Sequence, residues 1–305
     1  MRIAILSRNR GLHSVRRLLA EAKKARVDCD VLNPLECQLI IDGKDTRIVI
    51  GTQVIPEYDV VLPRIGASIT DYGLAVVKQL EVLGGFPFNS AQAISDSRNK
   101  MRCLQILAGK GLKVPATVLT RSARGRRNAV EAVRGLPVVL KLLKGTQGLG
   151  VMLLNHPISV GSVLDTLDSL DQDVIIQQFI AEGAGRDYRA FVIGNRVVAA
   201  MMRTAAEGEF RSNIHRGGEG KLITLPPAFE RAAIRAASVL GLHLAGVDIM
   251  ESASGPMILE VNSSPGFEGI ERATGLNIAG MIMKEMIGAA RKRSNGKKRK
   301  SRVKR

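Results

Sequence analysis

Tryptophan is absent from this 305-residue chain, and aromatic residues make up 3% of it. Recognition of single-stranded nucleic acid relies on aromatic faces for bases to stack on, so base stacking is not expected to be the main chemistry. Cysteine is also scarce. Cys29, Cys37 and Cys103 are odd in number and show no CxxC spacing. They fit neither a disulfide framework nor a zinc site, and they suit a reducing, cytoplasmic setting. No apolar run approaches the ~18 residues of a membrane span. The opening "MRIAILSRNRG" has an apolar core of four residues, too short for a signal-peptide core. No membrane partner is expected.

Acidic residues are missing from the last fifteen positions, "RKRSNGKKRKSRVKR", which carry ten lysines and arginines. Without them the net charge of +17 falls to +7. A segment of this composition cannot bury a core, and disorder is expected over 291–305. It reads either as an electrostatic arm for a polyanion such as RNA or the ribosome, or as a solubilising tail without a defined partner.

The whole chain is 45% hydrophobic and long enough for two or three domains. "RIAIL", "GLHSVRRLLAEAKKAR" and "VDCDVL" read as strand, helix and strand, the start of an open α/β sheet. "TRIVIGTQVI" reads as a hairpin and "YDVVLPRIG" as a buried strand. "TDYGLAVVKQLEVLG" is a helix capped by Thr70 or Asp71. "SRNKMRCLQILAGKGL" is an amphipathic helix, "VPATVLT" an edge strand, and "RSARGRRNAVEAVRGL" contains a further helix. "DVIIQQFI" is a strand, "YRAFVIGNRVVAAMMR" a strand pair about Gly-Asn, and "PPAFERAAIRAASVLGL" a helix with Pro in its first turn. "LAGVDIMES" and "GPMILEVNSSPG" are paired strands, and a last helix spans about 277–290.

Three stretches carry chemistry. "VVLKLLKGTQGLGVML" lacks the Gly-Lys-Ser/Thr of a Walker A loop, and its GxxGxG spacing is not a Rossmann fingerprint. Its context is strand, loop, strand. Taken alone it is either a hairpin that turns the chain or a flexible loop whose N–H groups wrap an anion, with Lys141 on the incoming strand. "AGVDIM" and "ILEVNSSPG" put Asp248 on one strand and Glu260 and Asn262 on the next, among apolar neighbours. Burying such groups costs several kcal/mol each unless they are paired or bound to a cation; the alternative is a solvent-facing polar side of a hairpin. Hard oxygen ligands of this kind suit Mg²⁺ or Mn²⁺. "EGEFRSNIHRGGEG" is a cationic, donor-rich loop suited to a transferring phosphoryl group.

These stretches, in this order, resemble the ATP-grasp superfamily and within it the RimK family, which adds glutamates to the C-terminus of the sixth protein of the small ribosomal subunit. The resemblance runs from "MRIAILSRN" through "LPRIGASIT", "LKLLKGTQGLGV", "EGEFRSNIHRGG" and "GVDIM" to "LEVNSSPGFEGIE", over about residues 1–290. It implies an α/β protein, α+β in its ATP-binding part. An N-terminal α/β pre-ATP-grasp domain would span 1–95, a central lid subdomain 96–180, and a C-terminal metal-binding subdomain 181–290.

It further implies a carboxylate–amine ligase working through an acyl phosphate. Lys100 and Lys141 would contact ATP phosphates, with Lys141 and Arg211 catalytic. Gly145 and Gly148 would close over the phosphates. Gln178 and Phe179 would meet the adenine at the hinge, where family members often carry glutamate in place of Gln178. Asp187 would hold the ribose, and Arg211, Ser212 and Asn213 would approach the phosphates. Asp248, Glu260 and Asn262 would bind two Mg²⁺ or Mn²⁺ ions, and Arg64, Arg203 and Arg216 would hold substrate carboxylates. The implied partners are free glutamate and the acidic tail of a small-subunit ribosomal protein, and a homo-oligomer is expected. Rival readings are a ligase with a small-molecule or peptide acceptor, and a ribosome- or RNA-binding protein acting through its basic tail.

Overall fold

The computed structural model describes residues 1–43, 45–121, 125–143, 150–212 and 218–303. The first element, β1 (Arg2–Leu6), is apolar on both faces and fully buried from Ile3 onward, as a central parallel strand must be. It runs into α1 (His13–Lys24), which buries Val15, Leu18 and Ala22 at helical spacing, and returns as β2 (Asp28–Leu32). A separate antiparallel sheet follows, built of β3 (Cys37–Asp42), β4 (Asp45–Ile50) and β5 (Gln53–Val54). The expected hairpin is β4–β5; β3 was not anticipated. Then β6 (Val60–Pro63) pairs with β1, giving the parallel order β2-β1-β6.

Helix α2 (Thr70–Val82) covers one face of this sheet, where Val76, Val77 and Leu80 meet Ala4, Leu6 and Val61. Neither Thr70 nor Asp71 caps it. Its cap position is Ile69, without a side-chain bond, because the Thr70 hydroxyl is engaged by Ala67 and Arg98.

The segment expected as one helix from Ser97 is broken. Helix α3 (Ala91–Arg98) stops at Asn99, whose side chain accepts from the Arg102 N–H at 2.9 Å and starts α4 (Lys100–Gly109). An Asn offers the backbone a cap instead of a helical turn, and this sets Lys100 at the first position of α4.

A small antiparallel sheet comes next: β7 (Thr117–Thr120), then α5 (Arg126–Ala132), β8 (Val138–Leu142), β9 (Val151–Leu154), α6 (Pro157–Ser169) and β10 (Val174–Gln178), in the order β7-β10-β8-β9. The strand–loop–strand context of β8 and β9 and the edge place of β7 are as expected. Helix α6 was missed; His156 accepts from the Ile158 N–H and Pro157 occupies the first turn, an ordinary helix start.

The largest sheet has the order β13-β12-β11-β14-β15. It comprises β11 (Arg186–Ile193), β12 (Arg196–Thr204), β13 (Glu219–Leu222), β14 (Leu244–Ser252) and β15 (Gly255–Asn262), with α7 (Pro227–Val239) on one face. Ala233, Ala236 and Ala237 of α7 pack with Val192, Val247 and Val261 there.

Helix α8 (Glu268–Thr274) leads to α9 (Ile278–Val303). The apolar stripe Ile278, Ile282, Met286 and Ala290 lies in one core with Ile3 and Ile5 of β1, Val15 of α1, and Phe191 and Leu244 of the large sheet. Each fully buried isoleucine or methionine of this stripe contributes about 1.5–3 kcal/mol. The basic run from 291, expected to be disordered, continues α9 to Val303. A docked helix needs no new nucleus to propagate, and lysine and arginine are good helix formers.

One amide joins the lobes. Asn89, 1% exposed, donates to the carbonyls of Leu244 and Ser263, both at 2.8 Å, and accepts from the N–H groups of His243 and Leu244.

Candidate functional site

A cleft opens between the small sheet and the large one. Its apolar walls are Val139, Val151, Ile180, Met250 and Leu259. None of these was singled out from sequence, because apolar residues in a strand signal core and nothing more. Its polar lining includes Lys100, Lys141, Gln178, Asp187, Arg203, Arg211, Ser212, Asp248 and Glu260, with Phe179 beside them. Most of the expected site residues therefore converge, though they come from six strands, a helix and the loop after β12. Gly145, Gly148, Asn213 and Arg216 lie outside the described residues, as does His215.

The lysines are held from the small-sheet side. Lys141 stands two residues after Val139 on the same face of β8, and its ammonium donates to Gln177 Oε1 at 2.7 Å. Gln177 in turn donates to Thr117 Oγ1 at 3.0 Å, so the lysine is anchored through two neighbouring strands. Lys100 donates to the carbonyls of Leu142 and Leu143 at 3.3 and 3.1 Å, where the chain leaves β8. Burial pushes both lysines below the ordinary ammonium value, since charge is poorly solvated there. Gln178 uses its side chain on the linker before β7: Oε1 accepts from the Ala116 N–H, and its own N–H donates to the Ala116 carbonyl.

The large sheet contributes an arginine–carboxylate lattice. Arg189 of β11 stands opposite Asp248 of β14, and Asp187 opposite Arg203 of β12. Arg189 grips Asp248 with both arms, Nε to Oδ1 at 2.7 Å and Nη2 to Oδ2 at 2.6 Å. Arg203 does the same to Asp187 and also reaches Asp248 Oδ2 at 3.0 Å. Forked pairs of this kind are the strong form of the interaction. Burial alone would push Asp248 up, but the two guanidinium groups outweigh it and hold it below the ordinary carboxylate value. Arg203, expected to hold substrate carboxylates, here holds the protein's own and is 4% exposed. Arg189 was missed from sequence. Its signal is the Asp-x-Arg alternation of residues 187–189, two charges on one face of an otherwise apolar strand.

Glu260 is different. It stands opposite Asp248 in the ladder, on the edge strand β15, and its side chain is open to the cleft. Sequence reasoning expected it buried with Asp248; the edge position leaves one side of it to solvent. Among the described residues its carboxylate has no hydrogen bond or ion pair. The surrounding walls and then the like charge of Asp248 push it up. A carboxylate set beside another and facing a cleft is short of a cation. Among the described residues no three acidic, histidine or cysteine side chains gather as a metal cage, because the third expected ligand is an amide. Asn262 pairs with Gly246 one step along the ladder, and its Oδ1 accepts from the Ser264 N–H at 2.9 Å. Asp248, Glu260 and Asn262 are hard oxygen donors on adjacent strands, and a divalent cation fits that set.

Arg211 reaches the cleft from the loop after β12. Glu209 accepts from it at 2.9 and 2.6 Å, and this holds Glu209 down at about 2. Arg211 also donates to the Val151 carbonyl at 3.3 Å, tying that loop to the far side of the glycine hairpin. Arg64 does not line the cleft. Its Nη1 donates to the Pro265 carbonyl at 2.7 Å, its guanidinium lies 5.7 Å from the centre of the Phe267 ring, and burial brings it down to about 10.

A family model for the RimK pre-ATP-grasp domain matches residues 1–94, and one for the RimK-like ATP-grasp domain matches 97–286. A probable alpha-L-glutamate ligase of Marinobacter nauticus is 48% identical over 283 residues, covering 93% of this chain and 94% of its own. Another, of Vibrio vulnificus, is 46% identical over 97% of this chain and 98% of its own. Among solved structures, the ATP-grasp ligase PsnB complexed with minimal precursor, Mg and ADP superposes with a TM-score of 0.74 at 19% identity, over 95% of this chain and 98% of that one. D-alanine–D-alanine ligase from Bacillus anthracis complexed with ATP gives 0.69 at 20% identity, over 97% and 99%. At such identities these two share the fold.

Proposed function

Since the chain belongs to the RimK-like ATP-grasp family and is an ATP-dependent ligase that forms C–N bonds, we propose that it joins glutamate to the C-terminal carboxylate of an acidic protein tail. The acceptor we favour is the tail of the sixth small-subunit ribosomal protein, the target that the family resemblance implies.

One observation carries the reading: a carboxylate short of a cation, Glu260, shares a cleft with two desolvated lysines and Arg211. Cations on one wall and hard oxygen donors on the other suit a metal–triphosphate, whose charge both walls neutralise. The apolar walls take the adenine, with Gln178 and Phe179 at its edge and Asp187 toward the ribose. Lys100 and Lys141 hold phosphate oxygens. Asp248, Glu260 and Asn262 would hold two Mg²⁺ or Mn²⁺ ions, which when bound draw charge from the β- and γ-phosphates. Arg211 and Ser212 meet the transferring group.

In the reaction, an acceptor carboxylate oxygen attacks the γ-phosphorus and ADP leaves. The glutamate amine then attacks the acyl carbon, loses a proton, and phosphate leaves with the bonding pair. Excluding water at this stage protects the acyl phosphate. Glu260, without an ion pair among the described residues, would offer such a metal ion the least engaged carboxylate of the site. Arg189 and Arg203 keep Asp248 ionised.

The test is incubation with ATP, Mg²⁺, labelled glutamate and a panel of acidic-tailed ribosomal proteins, read by intact mass. Stepwise glutamate additions to one acceptor are expected. No ATP-dependent addition to any acceptor by folded protein would reject the reading.

A further inference from the structure

We propose that a crevice at the carboxyl ends of β1 and β6, walled by Arg8 and Arg64, with Arg10 on the same loop as Arg8, binds the acidic segment of the acceptor just upstream of the carboxylate being extended. This deepens the ligase reading above and rests on it.

The topology opens the crevice. In the order β2-β1-β6 the chain leaves β1 through α1 toward β2, on the side away from β6. The loops after β1 and β6 therefore diverge, and such switch points are where open α/β sheets take ligands. The two loops still meet at their tips: the Arg8 guanidinium lies 3.6 Å from where a Cβ on Gly66 would stand.

Both walls are ordered from within. Asn9 Oδ1 accepts from the Gly11 N–H at 2.7 Å, and Ser7 and Asn9 bond to one another. Arg98 donates to the carbonyls of Ile65 and Gly66 and to Thr70 Oγ1. Behind the first wall, α1 begins at His13 with no side-chain cap and no acid in its first turn, so its unpaired N–H groups add positive potential.

The charge there is uncompensated. Among the described residues, Arg8, Arg10, Arg64 and Arg98 have no carboxylate within ion-pair distance. Several other arginines sit against acids, as Arg2 does with Asp30 and Arg17 with Glu271. The acids closest to α1, Glu268 and Glu271, are engaged by His13, Arg17 and Arg272. Four guanidinium groups without a carboxylate, carried by two neighbouring loops and the helix behind them, suit a ligand with several carboxylates.

The crevice shares a wall with the cleft. Arg64 bonds the Pro265 carbonyl in the loop directly after β15, which carries Glu260 and Asn262. Pro265 also lies on Gly246, two residues before Asp248, where a Cβ would come within 2.9 Å of it. An extended acidic peptide whose terminal carboxylate reaches the cleft lays its preceding residues along Arg64, Arg8 and Arg10. Free glutamate offers the same carboxylate chemistry, so the two sources are tested apart.

The probe is an N-terminally fluorescein-labelled peptide, Gly-Gly-Glu-Glu-Glu-Glu, with a free C-terminus, titrated by anisotropy against the full chain. Ligation of the same peptide is followed alongside. The variant is R8A/R10A, two exposed residues outside the catalytic machinery, with R8K/R10K as partial rescue. Loss of two solvent-facing ion pairs predicts about tenfold weaker peptide binding and a shallower salt dependence, with the KM for glutamate unchanged. Unchanged peptide affinity in R8A/R10A overturns the proposal. So does a rise in the KM for glutamate in place of that for the peptide. Wild-type protein that binds the peptide but never extends it would sink the acidic-acceptor ligase reading while leaving the crevice. Wild type and variant that extend it with equal KM would sink the crevice and leave the ligase.

Discussion

Arginine lines both the strand lattice of β11, β12 and β14 and the crevice at the ends of β1 and β6, but faces different things in each. In the lattice, Arg189 and Arg203 are clamped to Asp187 and Asp248. In the crevice, Arg8 and Arg10 are exposed and Arg64 bonds a carbonyl. The lattice charges are desolvated when the chain folds, so their partners must be built into the same strands. The crevice charges stay hydrated and can wait for a partner that comes and goes. In these two places, paired arginine belongs to the scaffold of the metal-type site, and arginine without a carboxylate is left available for a ligand.

Breaking the lattice is expected to have the largest effect. Arg203→Met strips Asp187 of its partner and Asp248 of one of two, and should destabilise the fold by about 3–5 kcal/mol in urea unfolding. Arg8→Met should change the same measurement by less than about 0.5 kcal/mol. Similar losses at both positions would erase the distinction. Lys141→Met, which removes a charge aimed into the cleft, should lower ATP-dependent turnover by about 10²–10³. Its far-ultraviolet circular dichroism should stay that of the wild type, and turnover within threefold would show that the charge is not used on phosphate. Asn89→Ala leaves buried backbone groups of two strands unpaired and should cost about 2–3 kcal/mol by the same urea assay, without changing the salt dependence of peptide binding.

The smallest effect is a pH dependence. Glu209 is held at about 2 by Arg211, below its ordinary value of 4.5. A lowered carboxylate contributes stability that is present above the unfolded value and lost as pH falls from about 4.5 through 2. The melting-temperature gap between wild type and Glu209→Gln should therefore narrow over that window. A gap that widens on acidification would contradict the pairing with Arg211.

Much of the strand and helix order was legible because periodicity reports burial. "RIAIL" read as an apolar strand and "YDVVLPRIG" as a buried one, and α7 read as a helix with Pro in its first turn. Helix α6 has no counterpart in the sequence reading, in which "ISVGSVLDTLDS" received no assignment. The split at Asn99 was missed because an Asn inside an amphipathic pattern announces a cap only once the neighbouring N–H groups are placed. The basic tail was misread since charge density argues for disorder in isolation but not at the end of a docked helix.

By itself the sequence determined which side chains could serve a phosphate-and-metal chemistry. Asp248, Glu260, Lys141 and Arg211 stand in strand and loop contexts whose local pattern already limits where they point, since alternation along a strand is a property of the backbone. Only the tertiary structure decided which charges are neutralised and which are not. Asp187 lies opposite Arg203 and Asp248 opposite Arg189 because three strands register across the sheet, while Glu260 keeps an open side because β15 is the edge. Arg8 and Gly66, 58 positions apart in the chain, meet because β1 and β6 are neighbours. Pairing of charges depends on through-space distance, and composition carries no record of that.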